Sequence, residues 1–135
     1  MVESVARLRE RRPAIVEKAF AGIRSLVENA RLAIEAGDVS ALGKLLDLNQ
    51  MILSGLFLST PEIERLIALA RASGASGAKL TGAGGGGCVV ALVPDHATRE
   101  KVLAAWKEDG FVGFGTTVAS EIPLRQEVAR GSELQ

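Results

Sequence analysis

Residues 79–93 read KLTGAGGGGCVVALV, and five of the six positions from Gly82 to Gly87 are glycine. The run that follows, from Cys88 to Val93, is uninterrupted, apolar and rich in β-branched side chains. Such a run is typical of a strand that is buried on both faces. Residues 79–81 are also compatible with a strand. We therefore predict a strand, a glycine loop and a second strand over residues 78–93.

Upstream of this stretch, apolar residues recur with helical periodicity while charged residues fill the opposite faces. The pattern predicts three helices, over about residues 5–36, 39–57 and 61–73. Gly37 ends the first helix, and Asp38 or Ser40 is suited to cap the second. Thr60 followed by Pro61 predicts the start of the third helix, because proline suits the first helical position.

Downstream of the second strand, the pattern predicts one more helix over residues 95–109 and a last strand over residues 112–122. Pro123 would suit that strand to a sheet edge. The polar residues 125–135 are expected to form a tail beyond a single domain of residues 1–124. This order of elements predicts an α+β fold, with helices packed on one face of a small, mainly antiparallel sheet.

The composition sets outer limits on function. The 135 residues include 16 basic and 16 acidic side chains, a balance that argues against nucleic-acid binding. No apolar run approaches the roughly 20 residues needed to span a bilayer, so we expect no membrane partner. Cys88 is the single cysteine and His96 the single histidine, so we expect neither an internal disulfide nor a metal site. These features predict a cytoplasmic protein.

The glycine loop is suited to anion binding. Between Thr81 and Cys88 the only side chain is the methyl group of Ala83, so the backbone N–H groups are accessible and positive φ angles cost little. Successive exposed N–H groups form a concavity that binds anions. Lys79 and Thr81 flank the loop and would add a positive charge and a hydroxyl group. The alternative is a structural role, in which the glycines permit a tight turn or close backbone packing.

Three known glycine motifs fit the loop poorly. Gly82, Gly84 and Gly87 match G-x-G-x-x-G, but a dinucleotide fingerprint opens a helix, whereas a strand follows here. A Walker loop ends in G-K-[ST], whereas Gly87 is followed by Cys88. The protein-kinase glycine pattern extends through Val89, yet the other protein-kinase signatures are absent. Literal matches to these patterns are therefore weak evidence.

A longer match carries more information. Residues 78–92, AKLTGAGGGGCVVAL, resemble the third conserved motif of mevalonate kinases, which share a superfamily with galactokinases, homoserine kinases and phosphomevalonate kinases. The helical stretch upstream is also similar, at Leu48-Asn49-Gln50, Leu56, residues 59–64 and Ala70-Arg71. Cys88 after four glycines resembles mevalonate kinases rather than the sugar kinases of the superfamily. The resemblance extends from Val5 to Ile122.

This resemblance implies an ATP-dependent phosphotransferase that uses Mg²⁺ and phosphorylates the primary alcohol of mevalonate in isoprenoid biosynthesis. It implies that the chain is a ferredoxin-like C-terminal domain, whose glycine loop faces the nucleotide phosphates across an interdomain cleft. Transferred by position, the phosphate-side residues would be Lys79, Thr81, Gly82, Ala83, Gly84, Gly85, Gly86 and Gly87.

The same resemblance implies that a nucleotide-binding and catalytic half lies outside these residues. Phosphoryl transfer needs a metal ligand and a group that orients the attacking hydroxyl. Asp38 and Asp95 instead suit helix caps, and Asp109 follows a helix. Asp47 is expected to be solvated on a helix surface, far in sequence from the loop. We therefore assign no catalytic residue and no metal ligand to this chain and expect it to be inactive alone.

The expected partners follow from the need for a nucleotide-binding and catalytic half outside these residues. The chain should pair with the missing N-terminal half or with a separate chain that supplies it. Mevalonate is the expected small-molecule substrate, and a homodimer is left open. The alternatives are a non-catalytic binding or assembly module, a free-standing anion-binding domain, and a kinase of the same superfamily that acts on phosphomevalonate or a sugar.

Four further side chains carry structural predictions. Asn49 and Gln50, inside an apolar helix, are expected to form a buried hydrogen-bonding pair that holds a loop. Cys88 is expected to act as a small hydrophobic residue beside a buried strand. Trp106 is expected to pack its helix onto the sheet.

Overall fold

The computed structural model describes residues 2–82 and 87–118. Within these ranges the elements follow the order α1 (Val2–Arg11), α2 (Pro13–Glu35), α3 (Val39–Gly55), α4 (Pro61–Ala72), β1 (Gly77–Thr81), β2 (Cys88–Leu92) and α5 (His96–Glu108). The α+β class predicted from the sequence is confirmed. Of the helices in these two ranges, none combines the length and the apolar content that a membrane span requires.

The single first helix predicted over residues 5–36 is wrong, because the structure has two helices there. Arg12 separates α1 from α2 with φ −138° and ψ 62°, outside the helical region. The cause is Pro13, whose ring disfavours a helical conformation at the preceding residue and which has no backbone N–H to donate. At the start of α2 that N–H is not needed, so Pro13 is accommodated there.

The three later helices begin at capping residues that the sequence predicts. Asp38 and Thr60 each accept a hydrogen bond from the backbone N–H three residues later, at 2.9 and 3.2 Å. Asp95 does the same for α5 at 2.7 Å. This bond stabilises the ionised carboxylate and lowers the pKa of Asp95. Asp38, rather than the alternative Ser40, is the cap of α3.

β1 and β2 pair antiparallel, with Thr81 opposite Cys88 at the end where the loop joins them. The burial predicted for the second strand is wrong for one of its faces, and so is the buried position predicted for Cys88. Cys88 is exposed and Val90 is 45% exposed, whereas Val89 and Ala91 pack against the core. The reason is that, among the described residues, β2 is paired with β1 alone and is covered on one face only.

The last predicted strand is wrong for residues 112–118, which form neither helix nor strand. The rest of that strand, residues 119–122, lies outside the described residues, as does the predicted tail. The physical reason lies at Gly113, where an added Cβ would lie 2.8 Å from the ring of Trp106. The backbone therefore runs closely along α5 instead of joining the sheet. The boundary between domain and tail stays a prediction.

The core lies where α4, β1 and α5 meet. Its buried residues are Ile63, Ile67 and Ala70 of α4, Ala78 and Leu80 of β1, and Val102 and Trp106 of α5. Trp106 also donates its indole N–H to the Leu66 carbonyl at 2.9 Å, so its predicted core position is confirmed. β1 thus connects the core directly to the glycine loop.

Candidate functional site

α3 and β1 lie in direct backbone contact at the start of the strand that leads into the glycine loop. A Cβ added at Gly43 of α3 would collide with the backbone of Ser76, and one added at Gly77 of β1 would collide with the Gly43 carbonyl. A side chain at either position would force the helix and the strand apart. Both positions therefore require glycine, and this requirement fixes how closely α3 approaches β1.

Asp47 of α3 bonds to β1 beyond this contact. Its Oδ1 accepts a hydrogen bond from the Ala78 backbone N–H at 3.0 Å. The same oxygen accepts one from Arg71 Nε at 3.0 Å and lies 2.8 Å from Arg71 Nη2. The solvated role predicted for Asp47, remote from the loop, is therefore wrong. The fold brings α3 against β1, so the carboxylate accepts a strand N–H while a cation from α4 orients it.

Gln50 lies on the same helix and is 3% exposed. Its Oε1 accepts a hydrogen bond from the Leu80 backbone N–H at 2.8 Å. Its Nε2 donates to Ser59 Oγ at 3.1 Å and to Glu64 Oε1 at 2.9 Å. The predicted buried hydrogen-bonding role is confirmed for Gln50, whereas Asn49 is only half-buried. Gln50 links α3 to the start of α4 and to the end of β1.

The glycine loop leaves the end of β1 at the protein surface. Thr81, Gly82 and Gly87 are exposed, and Gly82 has φ +80°, a left-handed conformation that residues with side chains rarely adopt. The pairing of Thr81 with Cys88 brings the two described ends of the loop together. The other predicted loop residues lie outside the described residues: Ala83, Gly84, Gly85 and Gly86.

Lys79 is half-buried on β1, opposite Val90. Side chains alternate along a strand, so Lys79 lies on the face opposite Ala78 and Leu80. Its Nζ donates a hydrogen bond to the Leu80 carbonyl at 2.8 Å. Burial removes water from the ammonium group and lowers the pKa of Lys79. The one cation predicted for the site therefore reaches the loop end of the strand.

The described residues beside the loop do not fit a Mg²⁺ site. Mg²⁺ prefers oxygen ligands, carboxylates above all, and residues 77–82 and 87–93 contain no Asp or Glu. Across the described ranges, no three His, Cys, Asp or Glu side chains cluster closely enough to hold a metal ion. No chemical step is therefore assigned to a metal ion held by these residues.

A groove of about 310 Å³ lies between α1 and Phe57. Its lining consists of Glu3, Ser4, Arg7, Leu8, Arg11 and Phe57. Of the predicted loop residues that the structure describes, Lys79, Thr81, Gly82 and Gly87 take no part in it, nor do Asp47 and Gln50. The groove is therefore separate from the candidate site, which consists of the glycine loop and the strand that leads into it.

Sequence reasoning missed Gly43 and Asp47 as neighbours of the loop strand, although a signal was present. Gly43, Asp47 and Gln50 are spaced by four and three residues, which places them on one face of a helix. A glycine and two hydrogen-bonding side chains on one face of an otherwise apolar helix indicate close contact with another backbone.

Comparison with known proteins gives a consistent family. A family model of the C-terminal domain of GHMP kinases matches residues 30–111. The mevalonate kinase of Thermococcus gammatolerans is 33% identical to this chain, over 96% of the chain and 37% of the relative. The mevalonate kinase of Pyrococcus horikoshii is 36% identical, over 96% of the chain and 40% of the relative.

Comparison of the fold with solved structures indicates the same family. A crystal structure of L. major mevalonate kinase in complex with R-mevalonate matches with a TM-score of 0.77 at 30% identity, over 79% of this chain and 33% of that one. The chain therefore spans 33–40% of the length of these three proteins. The resemblance carried by residues 78–92 is confirmed. Since the family match extends over more than half of its residues, the chain belongs to the GHMP kinase family, as a C-terminal domain of the mevalonate kinase type.

Proposed function

We propose that this chain is the phosphate-facing domain of an ATP-dependent mevalonate kinase, in which other residues supply nucleotide binding and catalysis. The reaction transfers the γ-phosphoryl group of ATP to the primary alcohol of mevalonate. The observation that carries the proposal is the pair of exposed loop ends, Gly82 and Gly87, beside a strand that α3 holds. The relatives named above support mevalonate as the acceptor.

The chemistry assigned to the loop is electrostatic. Phosphoryl transfer depends on positioning and on donors aimed at the negative charge of the transferred group. The backbone N–H groups of residues 82–87 would act as such donors, together with the Thr81 hydroxyl. Lys79 would turn its ammonium group from the Leu80 carbonyl to the entering phosphate. A neighbouring anion favours the charged form, so binding would raise the pKa of Lys79 from its lowered value.

The same proposal limits what this chain does alone. ATP and Mg²⁺ are the cofactors, with the Mg²⁺ ligands outside the described residues. The isolated chain is inactive because the described strand residues that flank the loop, 77–82 and 87–93, offer no carboxylate to bind the metal or to orient the attacking hydroxyl. Cys88 is exposed and is the single cysteine of these 135 residues, which fits a reducing compartment such as the cytoplasm.

A chimera tests the proposal. The 135 residues replace the aligned segment of the Pyrococcus horikoshii mevalonate kinase, and ATP-dependent phosphorylation of mevalonate is measured. We expect turnover by the chimera and none above background by the isolated chain. Gly82→Ala in the chimera should raise the KM for ATP, because φ +80° strains alanine by about 1 kcal/mol at the loop entrance.

Gly110→Ala is the matched control. Gly110 has φ +88° and no atom within 4 Å of an added Cβ, but it lies outside the loop. The substitution should lower stability to a similar extent and leave the KM for ATP unchanged. A folded chimera without turnover, or turnover by the isolated chain, would contradict the proposal.

The alternative of an assembly module is favoured by exposed apolar side chains. Phe57 is 80% exposed and Met51 is 67% exposed, and exposed apolar surface promotes association. Light scattering on the isolated chain measures its oligomeric state. Self-association together with an inactive, folded chimera would support the assembly module over the kinase domain.

A further inference from the structure

We propose that Asp47 and Gln50 are positioning residues for the glycine loop, which they act on by holding two backbone N–H groups of β1. The inference rests on the proposed function for its consequence, phosphate binding. Its mechanism rests on the contacts between α3 and β1 alone. Neither side chain needs to touch a substrate for this role.

The face of α3 that contacts β1 matches the strand in length. An α-helix rises about 1.5 Å per residue, so Gly43 to Gln50 span about 10 Å. A strand rises about 3.3 Å per residue, so Gly77 to Leu80 span about the same length. Three contacts therefore follow one another in step: Gly43 with Gly77, Asp47 with Ala78, and Gln50 with Leu80. One helix face matches the strand up to two residues before Gly82.

One edge of β1 is hydrogen-bonded to side chains of α3. Alternate N–H groups of a strand point to the same edge, and those of Ala78 and Leu80 are two residues apart. Another strand would ordinarily accept them. Here the acceptors are a carboxylate and an amide oxygen from α3. α3 therefore takes the place of a neighbouring strand and holds the chain where it enters the loop.

Asp47 and Gln50 are themselves held by α4. Arg71 orients Asp47, and Glu64 accepts a hydrogen bond from Gln50. A buried amide is unfavourable unless its polar atoms are bonded, and at Gln50 both are. Apolar packing alone would need no such arrangement. The network orders the strand end before a ligand arrives, which lowers the entropy cost of binding.

Amide hydrogen exchange in the 135-residue chain tests the role directly. Gln50→Met removes the acceptor of the Leu80 N–H and should speed its exchange by about tenfold. Asp47→Ala should do the same at Ala78, whereas Asp47→Asn keeps an acceptor oxygen and should restore exchange close to the parent rate. Met51→Ala, at an exposed neighbouring position of α3, is the control and should change neither rate.

A second readout separates positioning from a merely structural role. The amide NMR shifts of Gly82 and Gly87 should move in Asp47→Ala and Gln50→Met and return in Asp47→Asn. Exchange at Ile67, in the core, should stay near the parent rate. Uniformly faster exchange at Ile67 and in β1, or unchanged glycine shifts, would overturn the inference. If Gln50→Met does not fold, the two Asp47 variants decide.

The final readout distinguishes this inference from the proposed function. In the chimera, Asp47→Ala and Gln50→Met should raise the KM for ATP severalfold and leave the KM for mevalonate unchanged. Unchanged KM values in an active chimera would overturn the positioning role and leave the proposed function intact. Altered exchange and shifts with an inactive, folded chimera would show that α3 positions the loop and that the proposed function fails.

Discussion

The two strands that flank the glycine loop are held very differently. β1 places Ala78 and Leu80 in the core, and both of their N–H groups are bonded to α3. β2 exposes Cys88 and Val90 and is held by its pairing with β1 and by packing on one face. The loop therefore has one firmly held end and one end with fewer restraints.

This difference bears on how a phosphate-facing loop works under the proposed function. Contacts that hold the end of β1 fix where the loop begins at Gly82, which would supply preorganisation. Regions with few buried contacts open more easily, and ligand-binding loops are drawn from them. Under the proposed function, the more exposed strand β2 would be the side of the loop that yields when a ligand enters or leaves.

The largest effect should appear when one apolar side chain is shortened on each strand. Leu80 is 3% exposed, so Leu80→Ala should lower the free energy of unfolding by about 2–5 kcal/mol. Val90 is 45% exposed, so Val90→Ala should lower it by about 0.5 kcal/mol. Urea unfolding measures both values. Equal losses would show that β2 is held as firmly as β1.

A smaller effect is expected at the contact between α3 and β1. Gly43→Ala should lower the free energy of unfolding by about 1–3 kcal/mol, because the new methyl group meets the Ser76 backbone. Gly55→Ala on the same helix has no atom within 4 Å of the new Cβ and should be neutral or stabilising by up to about 1 kcal/mol. Thermal and urea unfolding measure the change in stability of both variants. A Gly43→Ala chain as stable as its parent would mean that α3 and β1 separate without loss.

The smallest effect on stability is expected from the charge of Lys79 on β1. Burial lowers the pKa of Lys79 in the folded chain, so between that pKa and the unfolded value near 10.5 the unfolded chain binds more protons. Stability contributed by this group therefore rises with pH across the window. Lys79→Met should flatten this alkaline rise, as measured by urea unfolding over a pH series. A parent–variant difference that is constant with pH would refute the assignment.

Features that depend on residues close in sequence could be predicted. Thr60 and Asp95 cap helices through N–H groups three residues away, so the pattern that reveals them is local. The loop between two strands is equally local. Pro13 also marked the end of α1, but helical periodicity continues across Arg12 and concealed the break.

Features that depend on contacts between residues distant in sequence could not be predicted. Asp47 and Ala78 are 31 residues apart, and no local pattern states that a helix carboxylate will bind a strand N–H. The exposure of β2 had the same origin, because an apolar run shows which residues tolerate burial and not which element covers them. The strand predicted over residues 112–122 is wrong for residues 112–118, because glycines suit close packing on a helix as well as they suit an extended chain.

The contact between Gly43 and Gly77 also restricts sliding. Neither glycine has room for a Cβ, whereas the residues next to them in the chain, Leu42, Lys44, Ser76 and Ala78, all carry side chains. The absence of a Cβ at Gly43 and at Gly77 therefore fixes the position of α3 along β1. Any shift of the loop entrance along the strand axis must carry α3 with it.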